Sequence, residues 1–196
     1  MALALTLGIA GCGSAKGEVS QERALEAFDK FGAEDDDDLE DMIWRITNYR
    51  TECEGGYYYT TDDKDEAKLI VENVVYRFDE IPDMEYQACT YFAVASKEDE
   101  SFSVIYVITF DNARDAVDMY NSTLSDMANK DHYASGSSSD IYYAVCNEDS
   151  GMQSMYGVYV QGNNLLYIRA VANDKAGLKP YENIIKDMGL RSPLSA

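Results

Sequence analysis

Few residues of this 196-residue chain are arranged for chemistry. The one histidine, His132, lies in Lys130-Asp131-His132-Tyr133 beside a Ser-rich stretch at 135–139. A Ser-His-Asp arrangement of the hydrolase type sets its serine on a GxSxG elbow, and no serine here sits in one. One histidine also falls short of a catalytic zinc site, which typically takes two or three His with a carboxylate. Paired carboxylates can hydrolyse glycosides, but with 36 acidic residues pairs arise everywhere and pairing carries almost no information. Oxygen ligands suited to calcium are dense at 34–41 and 62–66. Neither segment has the spaced ligands, central Gly and terminal Glu of an EF-hand loop, so both fit solvated charge runs or helix starts better. No GxxxxGK[ST] and no GxGxxG occurs, which leaves nucleotide cofactors unsupported. No cofactor and no metal is expected.

The tyrosines form a stronger pattern. Of sixteen, Tyr57, Tyr59, Tyr91, Tyr142, Tyr159 and Tyr167 fall on strand-like segments, as do Tyr58, Tyr143 and Tyr156. The first six are the candidate ligand-binding residues, because tyrosine supplies rigid contact area and a polar tip at low entropy cost. The structural alternative is that tyrosine has high β propensity and covers half-exposed sheets. Among the cysteines, Cys89 and Cys146 both lie in predicted strands and form a candidate disulfide. Buried thiols are the alternative. Cys53 has no assigned partner, and no CxxC is present for thioredoxin-like chemistry or a zinc ribbon.

Cys12 stands apart. Ile9-Ala10-Gly11-Cys12 closes a short apolar run over 3–10 and is followed by Gly13-Ser14. The run is shorter than the ~20 residues that span a bilayer and matches the ~7–15 of a signal-peptide h-region. The pattern resembles the lipobox of bacterial lipoproteins, in which the signal peptide is cut just before a cysteine that becomes lipidated. That resemblance implies a removed signal peptide at 1–11, lipidation of Cys12, and anchoring on the extracytoplasmic face of the cell membrane. The chain departs from the family in one respect: no Lys or Arg precedes Cys12, and Lys16 is the first.

The formal net charge of −20 bounds the partners. Phosphate backbones repel such a chain, so nucleic acid is excluded as a partner. Anionic headgroups repel it too, so the membrane link must be covalent lipid instead of a basic patch. Hydrophobic content of 46% and aromatic content of 12% are too high for a disordered chain.

The elements that must position these residues are legible in outline. A polar tether is expected at 12–19 and a single α+β domain at 20–196. Ser20 caps a helix carrying Ala24, Ala27, Phe28 and Phe31, and a second helix carries Leu39, Met42, Ile43 and Ile46 at helical spacing. A pseudo-repeat follows, residues 57–67 aligning with 106–116: aromatic strand, Thr, an Asp cap (Asp62 or Asp111), an acidic first turn and an apolar helix. A weaker third copy runs from 165–168 into a helix with Tyr181, Ile184, Ile185 and Met188, ending at Gly189. Strands are expected at 88–95, 104–110, 141–146, 155–160 and 165–171, with a tight Gly162-Asn163-Asn164 hairpin and a flexible connection at 135–139. One-sided alternation predicts an antiparallel sheet with helices packed on one face and the other left to water or a partner.

The strand-Asp-helix module, the lipobox and the ending Asn163-Asn164-Leu165-Leu166-Tyr167-Ile168 before a last helix resemble small exported lipoproteins of gut-type Firmicutes. Those are mostly uncharacterised, so the resemblance implies location and fold and assigns no functional residue. The expected protein is a non-enzymatic, lipid-anchored binding or assembly module with a protein, peptide or glycan partner. The alternatives are a carbohydrate- or peptide-binding accessory lipoprotein using the tyrosine-rich sheet face, and a small carboxylate-based hydrolase.

Overall fold

Residue alternation decides the sheet. In the strand β4 (Ser101–Phe110), Val104, Tyr106, Ile108 and Phe110 face one way and Ile105 and Val107 the other, and all six are buried. A strand apolar on both sides must be covered on both sides. The computed structural model describes residues 17–48, 54–74, 84–97, 100–138 and 140–196. In chain order the elements are α1 (Gln21–Phe31), β1 (Glu34–Asp35), α2 (Leu39–Asn48), β2 (Gly55–Thr61), α3 (Lys64–Val74), β3 (Tyr86–Ser96), β4, α4 (Ala113–Met127), β5 (Ala134–Ser138), β6 (Ile141–Ser150), β7 (Met152–Gln161), β8 (Asn164–Ala172) and α5 (Lys179–Asp187), with a closing 3-10 turn at Pro193–Ser195. The eight strands form one sheet in the order β1-β2-β3-β4-β8-β7-β6-β5. All neighbours are antiparallel except the parallel pair β1–β2.

The fold class is α+β, as expected. The layering differs from the expected single helical face. α2, α3 and α4 cover one face through Met42, Ile70 and Met119, and α1 and α5 cover the other through Phe28, Ile184 and Ile185. The cause lies in the strands: β4 and β8 carry apolar residues at both parities, Leu165 and Leu166 being equally buried. An exposed sheet face for partner binding is therefore absent from the central strands.

Local chemistry sets the helix starts. Ser20 caps α1, accepting from the Arg23 amide at 3.2 Å. The pseudo-repeat is real as β2–α3 and β4–α4, but its caps fall one residue later than expected. Asp63 accepts from the amides of Asp65 and Glu66, and Asn112 from those of Arg114 and Asp115. Asp111 is thereby released to accept the Lys64 ammonium at 3.1 Å, linking the first turns of the two copies. That hydrogen bond is the main influence lowering the Asp111 pKa. The third copy, β8–α5, lacks a side-chain cap and packs on the opposite face.

Three further expectations need correction. The segment at 135–139 is not simply a flexible connection: Ala134–Ser138 is the edge strand β5, paired with β6. Residues 18 and 19, expected in a tether, belong to the folded domain: Val19 is buried and its amide donates to Gln161 Oε1 at 2.8 Å, while the Glu18 amide donates to the Met188 carbonyl. Cys89 and Cys146 are not bridged. They lie on β3 and β6 with β4, β8 and β7 between them, roughly 19 Å of sheet width at ~4.8 Å per strand. A disulfide requires Cα atoms within about 7 Å. Burial pushes the Cys89 thiol up to about 12.

One close approach in β7 yields a test. A Cβ added to Gly157 would sit 2.8 Å from the Tyr159 ring and 3.1 Å from Ile168. Tyr159 cannot yield, because it is fully buried and its hydroxyl donates to the Arg191 carbonyl. Gly157→Ala should cost about 1–3 kcal/mol by overpacking, seen as a lowered midpoint in urea denaturation. An unchanged midpoint would show that the ring is not pinned.

Candidate functional site

Strand register lays out a cleft at one end of the sheet. Ala95, Phe102, Val171, Ser154 and Glu148 form one cross-strand row, and Ala93, Val104, Arg169, Tyr156 and Cys146 form the next. Side chains of both rows point to the face covered by α2, α3 and α4, since alternate residues share a face. The rows end at the β3–β4 and β6–β7 hairpins. A cavity of about 660 Å³ opens there, lined by Phe102, Glu148, Met152, Tyr156, Arg169 and Val171 among others. That volume is in the range of small-molecule sites, about 300–1,000 Å³.

Arg169 is the centre of the cleft. Its guanidinium carbon lies 5.8 Å from the ring centres of both Phe102 and Tyr156. Such contacts contribute about 0.5–2 kcal/mol and fix a planar cation between apolar walls. The Nε atom of Arg169 is buried with no hydrogen-bond partner among the described residues. Lys130, just after α4, reaches in with its ammonium 5.2 Å from the Tyr156 ring centre. Both Glu148 oxygens accept from it, at 3.2 and 3.0 Å. On the opposite wall, Glu100 Oε2 accepts from Asn173 Nδ2 at 2.8 Å and joins the β3–β4 turn to the exit of β8. The cleft is thus a cationic, aromatic floor inside a strongly acidic protein.

The residues singled out from sequence are placed differently. Cys12 and Cys53 lie outside the described residues. Tyr59, Tyr91 and Tyr159 are buried and cannot form an accessible binding platform. Tyr59 donates to Glu66 Oε2 at 2.9 Å, and burial followed by that bond pushes its hydroxyl up to about 12. Tyr159 belongs to the opposite face, among the α1 and α5 contacts. Tyr57 and Tyr167 are half-buried, and Tyr142 is 57% exposed near the β5 edge. The register does bring Tyr59, Tyr91, Tyr106 and Tyr167 into one row, adjacent to the row of Arg169. Ring centres are 5.1 Å apart for Tyr91–Tyr106 and 5.7 Å for Tyr106–Tyr167. This row is packing beneath helices, and it backs the cleft. His132 is exposed and does not line it. Among the described residues no three His, Cys, Asp or Glu come close enough to share a metal ion.

Sequence reasoning missed Arg169, Phe102, Lys130 and Glu148. A signal existed for the first: Arg169 is the lone charge among Leu165, Tyr167 and Val171, the residues that share its face of β8.

No family model matches the chain, and no curated protein matches it. Among solved structures, the crystal structure of the extracellular domain of PknH from Mycobacterium tuberculosis is similar over 74% of this chain and 90% of that chain, at 11% identity and a TM-score of 0.41. A likeness of that degree assigns neither a family nor a ligand to this chain.

Proposed function

We propose that the protein is a lipid-anchored, extracytoplasmic binding module that captures a small ligand in the cleft around Arg169. The observation that carries this reading is the cleft itself: a cavity of about 660 Å³ whose floor joins aromatic walls to a cation without an ion-pair partner among the described residues. The role is non-enzymatic, with no cofactor. Glu148 is held by Lys130 and Glu100 by Asn173, so both cleft carboxylates are engaged in holding the walls.

The anchor and the cleft fit together geometrically. Val19 is bonded to Gln161 at the β7–β8 turn, whereas the cleft lies at the Met152 end of the same strand. From Cys12 to Gly17 the chain can extend at most about 18 Å. A lipid on Cys12 would therefore hold the protein by one end of the sheet and leave the cleft at the end away from the membrane. No helix among the described residues is long and apolar enough to cross a membrane.

Two measurements test the proposal. Cells given a clickable fatty acid should label the wild-type chain and not Cys12→Ser. In a ligand screen by thermal shift, a ligand at about 100 times its dissociation constant should stabilise by about 2.7 kcal/mol, and Tyr156→Ala should abolish that shift. An unlabelled wild type overturns the anchor. Stabilising ligands that Tyr156→Ala leaves unaffected overturn the cleft.

A further inference from the structure

We infer that the cleft takes a monoanionic carboxylate joined to an apolar group, its carboxylate seated on Arg169; this rests on the cleft being the ligand site. In a chain with 36 acidic residues, an arginine on a cleft floor would ordinarily find a carboxylate. Arg169 finds none among the described residues, although Glu148 is in the same cleft; that carboxylate is occupied by Lys130. Its buried Nε has no acceptor. A guanidinium partly withdrawn from water without an anionic partner is costly, and its two terminal nitrogens, which are not among the buried unpaired atoms, match the two oxygens of a carboxylate.

Local charge selects a monoanion over a dianion. Arg169 and Lys97 contribute two positive charges and Glu100 one negative, while Glu148 is neutralised by Lys130. Among the described lining residues one positive charge remains, enough for a carboxylate and too little for a phosphate dianion facing two carboxylate walls. The apolar part of the ligand has its own surface. Ala95, Phe102 and Val171 form a small cluster beside Arg169, separate from both main cores, and Met152 at the rim is 44% exposed.

Hexanoate, hexanamide and inorganic phosphate test the inference on the 15N-labelled full chain by NMR titration. Hexanoate should shift the amides of Phe102, Ser154 and Arg169 saturably, with hexanamide about tenfold weaker or more and phosphate not saturating. Arg169→Gln should bring acid and amide to equal affinity. Should that variant not fold, the wild-type comparison decides alone. Equal binding of acid and amide in the cleft overturns the carboxylate while leaving the cleft as the ligand site. Saturable phosphate binding of equal strength, measured well above the second pKa of phosphate where the dianion prevails, overturns the monoanion. Shifts confined to other surfaces, or no shifts from any probe, overturn both the inference and the cleft reading.

Discussion

Replacing Glu182 by Gln should destabilise the protein by on the order of 3 kcal/mol at neutral pH and leave it indistinguishable from wild type near pH 2. Glu182 lies on α5 and is only 3% exposed. Burial alone would raise its pKa, but hydrogen bonds from Lys179, Lys186 and Ser192, with the charge of Lys186, outweigh burial and hold it at about 2 against its ordinary 4.5. A depressed carboxylate contributes stability that is fully present above its unfolded pKa and is lost as pH falls through the folded one. The window is therefore about pH 4.5 down to about 2, and each pKa unit corresponds to about 1.4 kcal/mol. Gln keeps the shape and the bond to Ser192 but lacks the charge, so the gap between the two proteins should close across that window. Urea denaturation at stepped pH measures it, and the comparison cancels the relief of net repulsion that any chain of charge −20 enjoys on acidification. A gap that stayed constant from pH 7 to 2 would show that shape, not charge, is what Glu182 provides. The structural consequence is local to the C-terminus: Ser192 also accepts from the Leu194 amide and starts the last turn, which Asn147 ties to β6 through the Pro193 carbonyl at 3.0 Å.

Phe92→Ala should cost about 3–5 kcal/mol, the loss typical of a fully buried aromatic that leaves a cavity. Phe92 on β3 is inaccessible to solvent. It stacks on Phe28 of α1 at 4.5 Å between ring centres and 13° between planes, and meets Phe31 edge-on at 5.5 Å and 85°. Three rings therefore clamp α1 to the sheet, and their paired geometry adds about 0.5–1.5 kcal/mol per pair beyond burial. Phe102→Ala is the control. That ring sits at the cleft in the small cluster with Ala95 and Val171, where water can enter the vacated space, so its loss should be smaller. Denaturant midpoints for the two variants decide the matter, and equal losses would mean that Phe102 is core and the cleft is closed.

The helix starts were legible because capping is local. Ser20 needs only the amide three residues on, and Asn112 only its next turn. The one-residue error at Asp62 and Asp111 arose because two polar residues stand in tandem at each strand–helix junction. Which one caps depends on where the strand lets go, and that depends on pairing with neighbours. The layering is not legible from one parity of each strand, because Ile105, Val107 and Leu165 fill the other. The tyrosines were misassigned for a related reason. Their β propensity marked Tyr91 and Tyr159 as strand residues, but only helices from elsewhere in the chain decide that those positions are sealed.

By itself the sequence determined the α+β class, most strand and helix positions, the net charge of −20, and the apolar run that ends at Cys12. Each rests on composition or on contacts between residues close in the chain. Strand order, burial on both faces and the cleft were decided only by tertiary structure. Arg169, Phe102, Tyr156 and Lys130 span 102 to 169 and meet because β4, β8 and β7 are neighbours in the sheet. The hairpins β6–β7 and β7–β8 are local, but the β4–β8 pairing joins strands far apart in the chain, and burying both faces of those two strands is a property of the whole sheet that no local window of residues contains.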